Sequence, residues 1–471
     1  MVFSSALFLF YFLPIFLLAY LLTPVRYKNT SALLGSLLFY LWGSPSFFPL
    51  LIGTVVIDYY LGKNIYSTTH VIRRKRLLAL GVVMNVGLLA YFKYANFFVD
   101  NLNVLSQQFG WGVLPWAEVI LPVGISFFTF QKLSYLIDLY YGKATPLKRL
   151  DDYMLYILLF PQLIAGPIIR FQEIAAQLRD RRAMLTTDHR LNGLFRFVVG
   201  LTKKVFIADV LGYWVDQTFG APFTALGTAD AWLVLVAYAM QIYYDFSGYS
   251  DMAIGIGMLL GFRFPENFNF PYISRSITEF WRRWHLTLSR WMRDYLYIPL
   301  GGNRKGTGRT YLNLWLVFLF SGFWHGAAWN FVCWGLFHGL FLVLDRLFLQ
   351  KALDRAGPWF ALVFTFVVTL MGWVIFRAEN LEQAFDFYPL LFNGAGGSLV
   401  FDTQFKWVLL LAVVMAWLPA FLPVELSINK WLNSTASSTL YWKSLFTLVL
   451  LFLCMSEVEV STFNPFIYFR F

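Results

Sequence analysis

The residues of this chain that could do chemistry are gathered between Phe280 and Gly339. The stretch opens FWRRWH, ending on His285, and closes FSGFWHGAAWNFVCWGLFHG, where His325 and His338 sit in apolar text. Three of the chain's five histidines are therefore here. A titratable ring in text this hydrophobic must be desolvated, hydrogen-bonded or set against a wet cavity, because an unsatisfied polar group in hydrocarbon is costly. A neutral imidazole, with an ordinary pKa of about 6.5, can take a proton from a hydroxyl and return it. Gly326, Ala327 and Ala328 follow His325 and leave room beside it, either for helix packing or for a substrate. His338 lies thirteen residues beyond His325. On one unbroken helix that turns it about 140° away, so the two rings are not expected to share a pocket. For each ring, a buried histidine satisfied by a carbonyl is the competing reading.

The arginines form a second candidate set. If residues 279 to 295 make one helix, Arg282, Arg283, Arg290 and Arg293 fall within an arc of about 100°, with Glu279 and Asp294 on or near it. Trp281, Trp284, Leu288, Trp291, Met292 and Tyr295 take the opposite side, with His285 on its apolar edge. Such a helix can lie at a membrane boundary, aromatics inward and guanidinium groups toward headgroups, solvent or a phosphorylated ligand. A snorkelling helix that binds nothing fits this periodicity as well as a cationic rim for an anionic acyl donor does. Asp245 and Asp251, in QIYYDFSGYSDMAIGIG, are six residues apart and about 120° out of alignment, so they are not an obvious carboxylate pair. Helix-end capping or pairing with a buried arginine is expected of them, with Arg170 and Lys132 as candidate partners.

Membrane helices must hold these side chains. The chain has 471 residues, 59% hydrophobic, 20% aromatic and only 13% charged, against about 25% charged in soluble domains. That composition predicts an all-α polytopic membrane protein folded as one domain over residues 1–471. The net charge of +11 falls in short basic clusters between apolar runs, as topology signals do, and excludes a nucleic-acid role. Cys333 and Cys454 offer neither metal spacing nor a disulfide framework, and no metal site is expected. The N-terminal MVFSSALFLFYFLPIFLLAYLLTP lacks a basic start and a small-residue cleavage site, so it reads as a retained first span.

That span, residues 5 to 23, ends at Arg26 and Lys28, which puts the N-terminus on the periplasmic side. Apolar text from Ala32 to Leu61 breaks at Gly-Ser-Pro, 43 to 45, and reads as two helices returning to a basic loop with Arg73, Arg74, Lys75 and Arg76. Further spans are predicted from Leu77 to Phe98 and Ile120 to Tyr141. Between Tyr153 and Phe171, Pro161, Gly166 and Pro167 interrupt an apolar stretch, as in a broken or re-entrant helix or a Pro-kinked one. A charged surface run from Arg170 to Arg190, an amphipathic segment from Leu191 to Leu211 with Lys203 and Lys204, and a long apolar stretch from Ala231 to Phe262 follow. Later spans bring the expected total to about eleven to thirteen membrane segments.

At this point the residues resemble a known family. RSITEFWRRWH at 275 to 285, LGGNR at 300 to 304, GFWHG at 322 to 326, LPVGISFFTFQ at 121 to 131 and DFSGYSDMAIGIG at 245 to 257 are similar to the membrane-bound O-acyltransferase superfamily, in its bacterial polysaccharide branch. The resemblance covers nearly the whole chain. It implies a ring of helices around a central funnel and tunnel, in the bacterial inner membrane. His325 matches the family's essential histidine, and His285 the second functional one.

The resemblance further implies acyl transfer from a cytoplasmic thioester, acetyl-CoA or an acyl-carrier protein, with no tightly bound cofactor. His325 is then the general base and His285 a positioning or polarising group, both kept neutral by desolvation. The acceptor is a polysaccharide beyond the membrane, reached through periplasmic acetyltransferase subunits; peptidoglycan or another cell-wall polymer is the alternative. Related systems carry an aromatic tail like FIYFRF at 466 to 471, which makes Tyr468 a candidate acyl relay. A phenol of pKa about 10 needs a nearby base for that role, and packing of the tail into the bundle is the plainer reading. From a different class, a transporter of an acylated substrate would also place His, Asp and Arg inside the membrane.

Overall fold

The structure is a computed structural model and describes residues 3–394, 396–397, 399–422, 431, 434, 436–460 and 466–467. No strand occurs among them. The chain is an all-α polytopic membrane protein; among the described residues six helices are long and apolar enough to cross a bilayer, with a shorter apolar helix at Leu7–Leu22. Other stretches that the sequence predicts as membrane segments form helices too short, broken or polar to meet that description. The chain divides into two compact units.

The first unit comprises Phe10–Thr186 with Leu260–Phe264. It holds α1 (Leu13–Leu22), α2 (Lys28–Gly43), α3 (Phe48–Ser67), α4 (Val71–Gln108), α5 (Ile125–Tyr140), α6 (Leu150–Leu158), α7 (Phe160–Leu163) and α8 (Phe171–Arg179). The Gly-Ser-Pro break ends α2 at Gly43, because Pro45 lacks the N–H that would continue the ladder. The interrupted stretch after Tyr153 is broken: α6 stops at Leu158, α7 lasts four residues, and Gly166 carries a left-handed φ of 97° before α8 begins. Lys132, a suggested partner for Asp245 and Asp251, instead pairs with Asp58 at 3.0 Å, both fully buried. Asn85 donates to the same carboxylate at 2.9 Å. Arg170, the other suggestion, pairs with Glu173 in its own capping box.

The second unit comprises Thr187–Leu259 and Pro265–Phe471 with Val2–Leu9. It holds α9 (Thr187–Thr202), α10 (Asp209–Phe219), α11 (Thr228–Leu259), α12 (Ile277–Trp281), α13 (Leu286–Met292), α14 (Thr307–His325), α15 (Trp329–Leu344), α16 (Gln350–Ala356), α17 (Pro358–Arg377), α18 (Leu381–Leu390), α19 (Thr403–Phe421) and α20 (Ser437–Val460). Glycine decides how α9 and α11 meet. Gly193 faces Gly255 and Gly200 faces Gly248, and a Cβ on any of the four would lie between 2.4 and 2.8 Å from the opposing carbonyl oxygen. Two pairs at one spacing of seven let the backbones touch, which gives helices in an apolar medium the contact that hydrophobic burial does not supply there.

Polar side chains are tied between these two helices. Asp251 binds Arg196 at 2.7 Å and Lys203 at 2.7 Å, and Arg196 reaches on to Glu266 at 2.6 Å. Asp245 is held by Lys204 at 2.7 Å. Lys204 sits in a π-helical turn, Lys203–Ala208, that swings it inward to bind Asp209 as well. Both aspartates are thus paired with cations, as expected, but the partners come from the amphipathic segment and not from Arg170 or Lys132.

Candidate active site

The helix assumed over residues 279 to 295 does not exist as one element. α12 ends at Trp281 and α13 starts at Leu286, with His285 between them in the left-handed region at φ 43°. A non-glycine residue is uncommon there, and the surrounding bonds show what holds it. The loop 265–274 pairs with the break: Asn269 N–H donates to Arg283 O at 2.9 Å, and Leu286 N–H to Asn267 O at 2.9 Å. A π-helical turn, Arg293–Tyr297, then re-aims the chain.

The four arginines are consequently not on one arc. Arg283 binds Glu279 at 2.9 Å and Asn269 O at 3.1 Å, bracing the break. Arg293 pairs with its neighbour Asp294 at 2.7 Å, Arg282 is exposed and Arg290 half-buried.

His285 is fully buried. Its Nδ1 lies 3.0 Å from Asn267 Oδ1, which also accepts from Thr287 Oγ at 2.8 Å, while Asn267 Nδ2 donates to Ser250 Oγ at 3.0 Å. An amide oxygen has only lone pairs to offer, so with the amide in this orientation Nδ1 carries the proton and Nε2 the lone pair. Burial pushes this imidazole down to about 3 from its ordinary value near 6.5, so it is neutral at physiological pH. The ring stands edge-on to Phe246, 4.7 Å between centroids, and 6.1 Å from Trp324.

His325 closes α14. Gly326 turns the chain to φ −162° and α15 restarts at Trp329, so His325 and His338 lie on two arms of a hairpin and not on one helix. Of the small residues noted beside His325, Gly326 lies at a close contact between the arms, and Gly322 and Gly335 let the two helices approach. A Cβ at Gly322 would fall 2.3 Å from Phe331 O, one at Gly335 2.4 Å from Phe318 O, and one at Gly326 2.1 Å from the Phe331 ring. Asn330 anchors the start of α15 by donating to Ala378 O at 2.8 Å, at the end of α17. The His325 ring, 4% exposed, is walled by Trp324 at 4.8 Å, Trp334 at 4.9 Å and Phe376 at 5.4 Å.

His338 does meet this cluster, against the rotation argument, because the hairpin brings it back. Trp334 meets both rings edge-on, His325 at 4.9 Å and His338 at 5.0 Å. His338 Nδ1 accepts from Trp281 Nε1 at 3.3 Å, and Gly372 leaves space for its Nε2, where a Cβ would lie 2.8 Å away. These contacts make His338 a packing residue that ties α12, α15 and α17 together. Trp324 contacts both of the other rings, at 6.1 Å from His285 and 4.8 Å from His325, which puts the two histidines in one buried aromatic cluster.

Asn267 and Lys204 are the residues that spacing did not single out. Both act across long sequence separations. Asp245 Oδ2 accepts from the backbone N–H of Ile467 at 2.7 Å, and Phe466 stacks on Tyr249 at 4.6 Å and packs on Phe246 at 5.9 Å. The tail therefore arrives one ring away from His285. Tyr468 lies outside the described residues. Among the described residues no group of His, Cys, Asp or Glu is placed to hold a metal ion.

A profile of the membrane-bound O-acyltransferase family matches residues 149–382, a stretch that contains both His285 and His325. Over 494 aligned positions, covering 100% of each chain, the sequence is 43% identical to the probable alginate O-acetylase AlgI of Pseudomonas putida. The chain belongs to the membrane-bound O-acyltransferase family. It is also similar to the peptidoglycan O-acetyltransferase of Helicobacter pylori, at 39% identity over 82% of this chain and 78% of that protein. The teichoic acid D-alanyltransferase of Bacillus subtilis is a more distant relative, 28% identical over 57% of this chain and 72% of its own. This O-acyltransferase is a multi-pass membrane protein whose two histidines from the family-like motifs both pack against Trp324.

Proposed function

We propose that this chain moves an acetyl group from a cytoplasmic thioester, acetyl-CoA or an acyl-carrier protein, toward an extracytoplasmic polysaccharide of the alginate kind. Its setting is the bacterial inner membrane, with the N-terminus periplasmic and periplasmic acetyltransferase subunits completing delivery. The observation that supports this most is the histidine pair itself: two buried imidazoles against one tryptophan, one with its tautomer fixed by Asn267. A relative that acetylates peptidoglycan keeps that polymer as the second candidate acceptor.

In the proposed step the acceptor hydroxyl oxygen attacks the thioester carbonyl carbon while His325 takes the hydroxyl proton. The tetrahedral intermediate collapses by breaking the C–S bond, and the imidazolium returns its proton to the leaving thiolate. The products are an O-acetyl ester and a free thiol. His285 holds or polarises a reactant through Nε2, the atom that Nδ1 protonation leaves as an acceptor. It cannot act as an acid while burial keeps it neutral. Arg282, Arg283, Arg290 and Arg293 are candidates to attract an anionic donor, with Arg282 and Arg293 the two exposed enough to meet it.

Tyr468 is proposed as a transient acyl carrier. The docking of Phe466 and Ile467 beside Tyr249 and Asp245 supports it, with Phe466 packed on Phe246, the ring that touches His285. The test is a purified-protein transfer assay with labelled acetyl donor. His325→Ala should abolish label transfer, His285→Ala should reduce it strongly, and Tyr468→Phe should block transfer onto protein while leaving donor binding intact. Full turnover by His325→Ala would overturn the mechanism; full turnover by Tyr468→Phe would remove only the relay.

A further inference from the structure

The first unit carries a cationic pocket that the acyl-transfer reading does not use. It encloses about 530 Å³ and is lined by Arg26, Lys28, Arg179, Arg181 and Arg182, with Asp180 as the single lining carboxylate. Asp180 is already engaged by Arg182 at 3.2 Å. A second acid, Asp152, stands behind Asn29, which donates to it at 2.7 Å.

The floor of the pocket is built and not merely a surface of loose side chains. Arg181, 8% exposed, donates to Leu260 O at 2.9 Å, to Tyr20 Oη at 3.3 Å and to Asn29 Oδ1, and its guanidinium lies 4.0 Å over the Phe262 ring. Those oxygens are neutral, and the nearest carboxylate acting on the group, Asp152, stands beyond Asn29 and makes no direct ion pair with it. Lys28, 5% exposed, donates to the carbonyls of Tyr20 and Leu21 and sits over the Tyr20 ring at 4.4 Å. Tyr20 in turn donates to Leu260 O at 2.7 Å. Arg179 is fixed against Thr145 and stays exposed.

The pocket also has an apolar approach. α1 ends beside it, and Leu18, Leu21, Leu22 and Val25 are 62%, 48%, 76% and 53% exposed along that flank. Apolar surface leading into fixed positive charge matches an amphiphile with acyl chains along the helix and a phosphate at its end. We propose that this pocket is a binding site for the phosphate of an anionic phospholipid headgroup. Basic residues at a helix end commonly snorkel without a specific ligand. Here the buried Arg181, held by neutral oxygens in the lining of an open pocket, separates a site from a snorkelling fringe.

The experiment titrates the purified full chain with dioctanoyl phosphatidylglycerol, dioctanoyl phosphatidylcholine and CoA, each alone, following intrinsic fluorescence and thermal stability. Native mass spectrometry reports the lipid carried through purification. The expected result is saturable binding of phosphatidylglycerol, none of phosphatidylcholine, and affinity about 5-fold lower for Arg179→Gln or Arg182→Gln and about 30-fold lower for both together. Both side chains are exposed, so the fold is retained; Arg149→Gln, another exposed arginine of the same unit, is the charge control and should not change binding. Equal affinity in the double variant and the wild type would overturn the site, as would equal binding of both lipids. Binding of CoA but not of phosphatidylglycerol, lost in the double variant, would overturn the lipid assignment and give the phosphate to the donor.

Discussion

Replacing Asn267 tests whether a single amide sets the working atom of His285. The side chain is 1% exposed and its Oδ1 takes the Nδ1 proton at 3.0 Å, which is what leaves the lone pair on Nε2. Asn267→Ala removes that acceptor from a buried donor. A neutral hydrogen bond contributes about 1 kcal/mol net, and a buried donor left without a partner costs about 1 to 3 kcal/mol. The ring can escape that cost by moving its proton to Nε2, which removes the lone pair from that atom. If catalysis uses that lone pair, turnover should fall by the same free energy, about 5- to 150-fold. Asn267→Asp keeps an acceptor at the same place and should recover most of the turnover. Its carboxylate should also raise the imidazole pKa, so the acid limb of the pH profile should move up. The assay is single-turnover transfer of labelled acetyl by protein in lipid nanodiscs, with melting curves to confirm folding. Ser250→Ala removes only the far-side contact and should change turnover by less than a few fold. If folded Asn267→Ala protein turns over at the wild-type rate, or if the Asp variant is no better than Ala, the tautomer argument fails.

Three further outcomes follow from the geometry. Gly322→Ala would drive a Cβ to 2.3 Å from Phe331 O in the hairpin that carries His325, so the arms must separate; a loss of at least the roughly 1 to 3 kcal/mol typical of overpacking is expected in thermal melts, together with lost activity. Lys204→Met leaves the buried Asp245 and the half-buried Asp209 without their shared cation; breaking the buried Lys204–Asp245 pair costs about 3 to 5 kcal/mol, and a melting temperature within experimental error of wild type would show that the carboxylates had found other partners. The depressed His285 pKa contributes stability that is complete above the unfolded value near 6.5 and is lost as pH falls toward about 3, because the unfolded ring takes up a proton that the folded one refuses. Between pH 6.5 and 5 this loss approaches about 2 kcal/mol at 1.4 kcal/mol per unit, and subtracting the pH dependence of His285→Gln isolates it; identical curves for the two proteins would refute a neutral buried ring.

Much of the helical framework was legible because its signals are local. The apolar run of α1, the proline after Gly43 and the prolines around Gly166 each act within a few residues, and the helices stop where those residues require. The site was legible only as a set of residue types, because a wheel assumes the helix it is meant to reveal. Nothing in FWRRWH shows that the helix breaks before His285; the reason lies in the loop 265–274, whose Asn267 and Asn269 offer the freed backbone groups partners that a straight helix would not. The same distance in sequence hid Lys204. Its partners come from α11 and from the residue beginning α10, and a π-helical turn, which periodicity does not announce, aims it at both. One pattern was available and carries the argument further: glycines repeat at a spacing of seven in both α9 and α11, at 193 and 200 and at 248 and 255. In a soluble core such positions would be voids, but between membrane helices they are the contact itself. α11 also presents Asp245 to the tail and Phe246 to His285, so the close α9–α11 seam fixes the elements on which the proposed relay depends. A bulkier residue at Gly248 would shift those two neighbouring side chains together, so acyl transfer should fail even with both histidines in place.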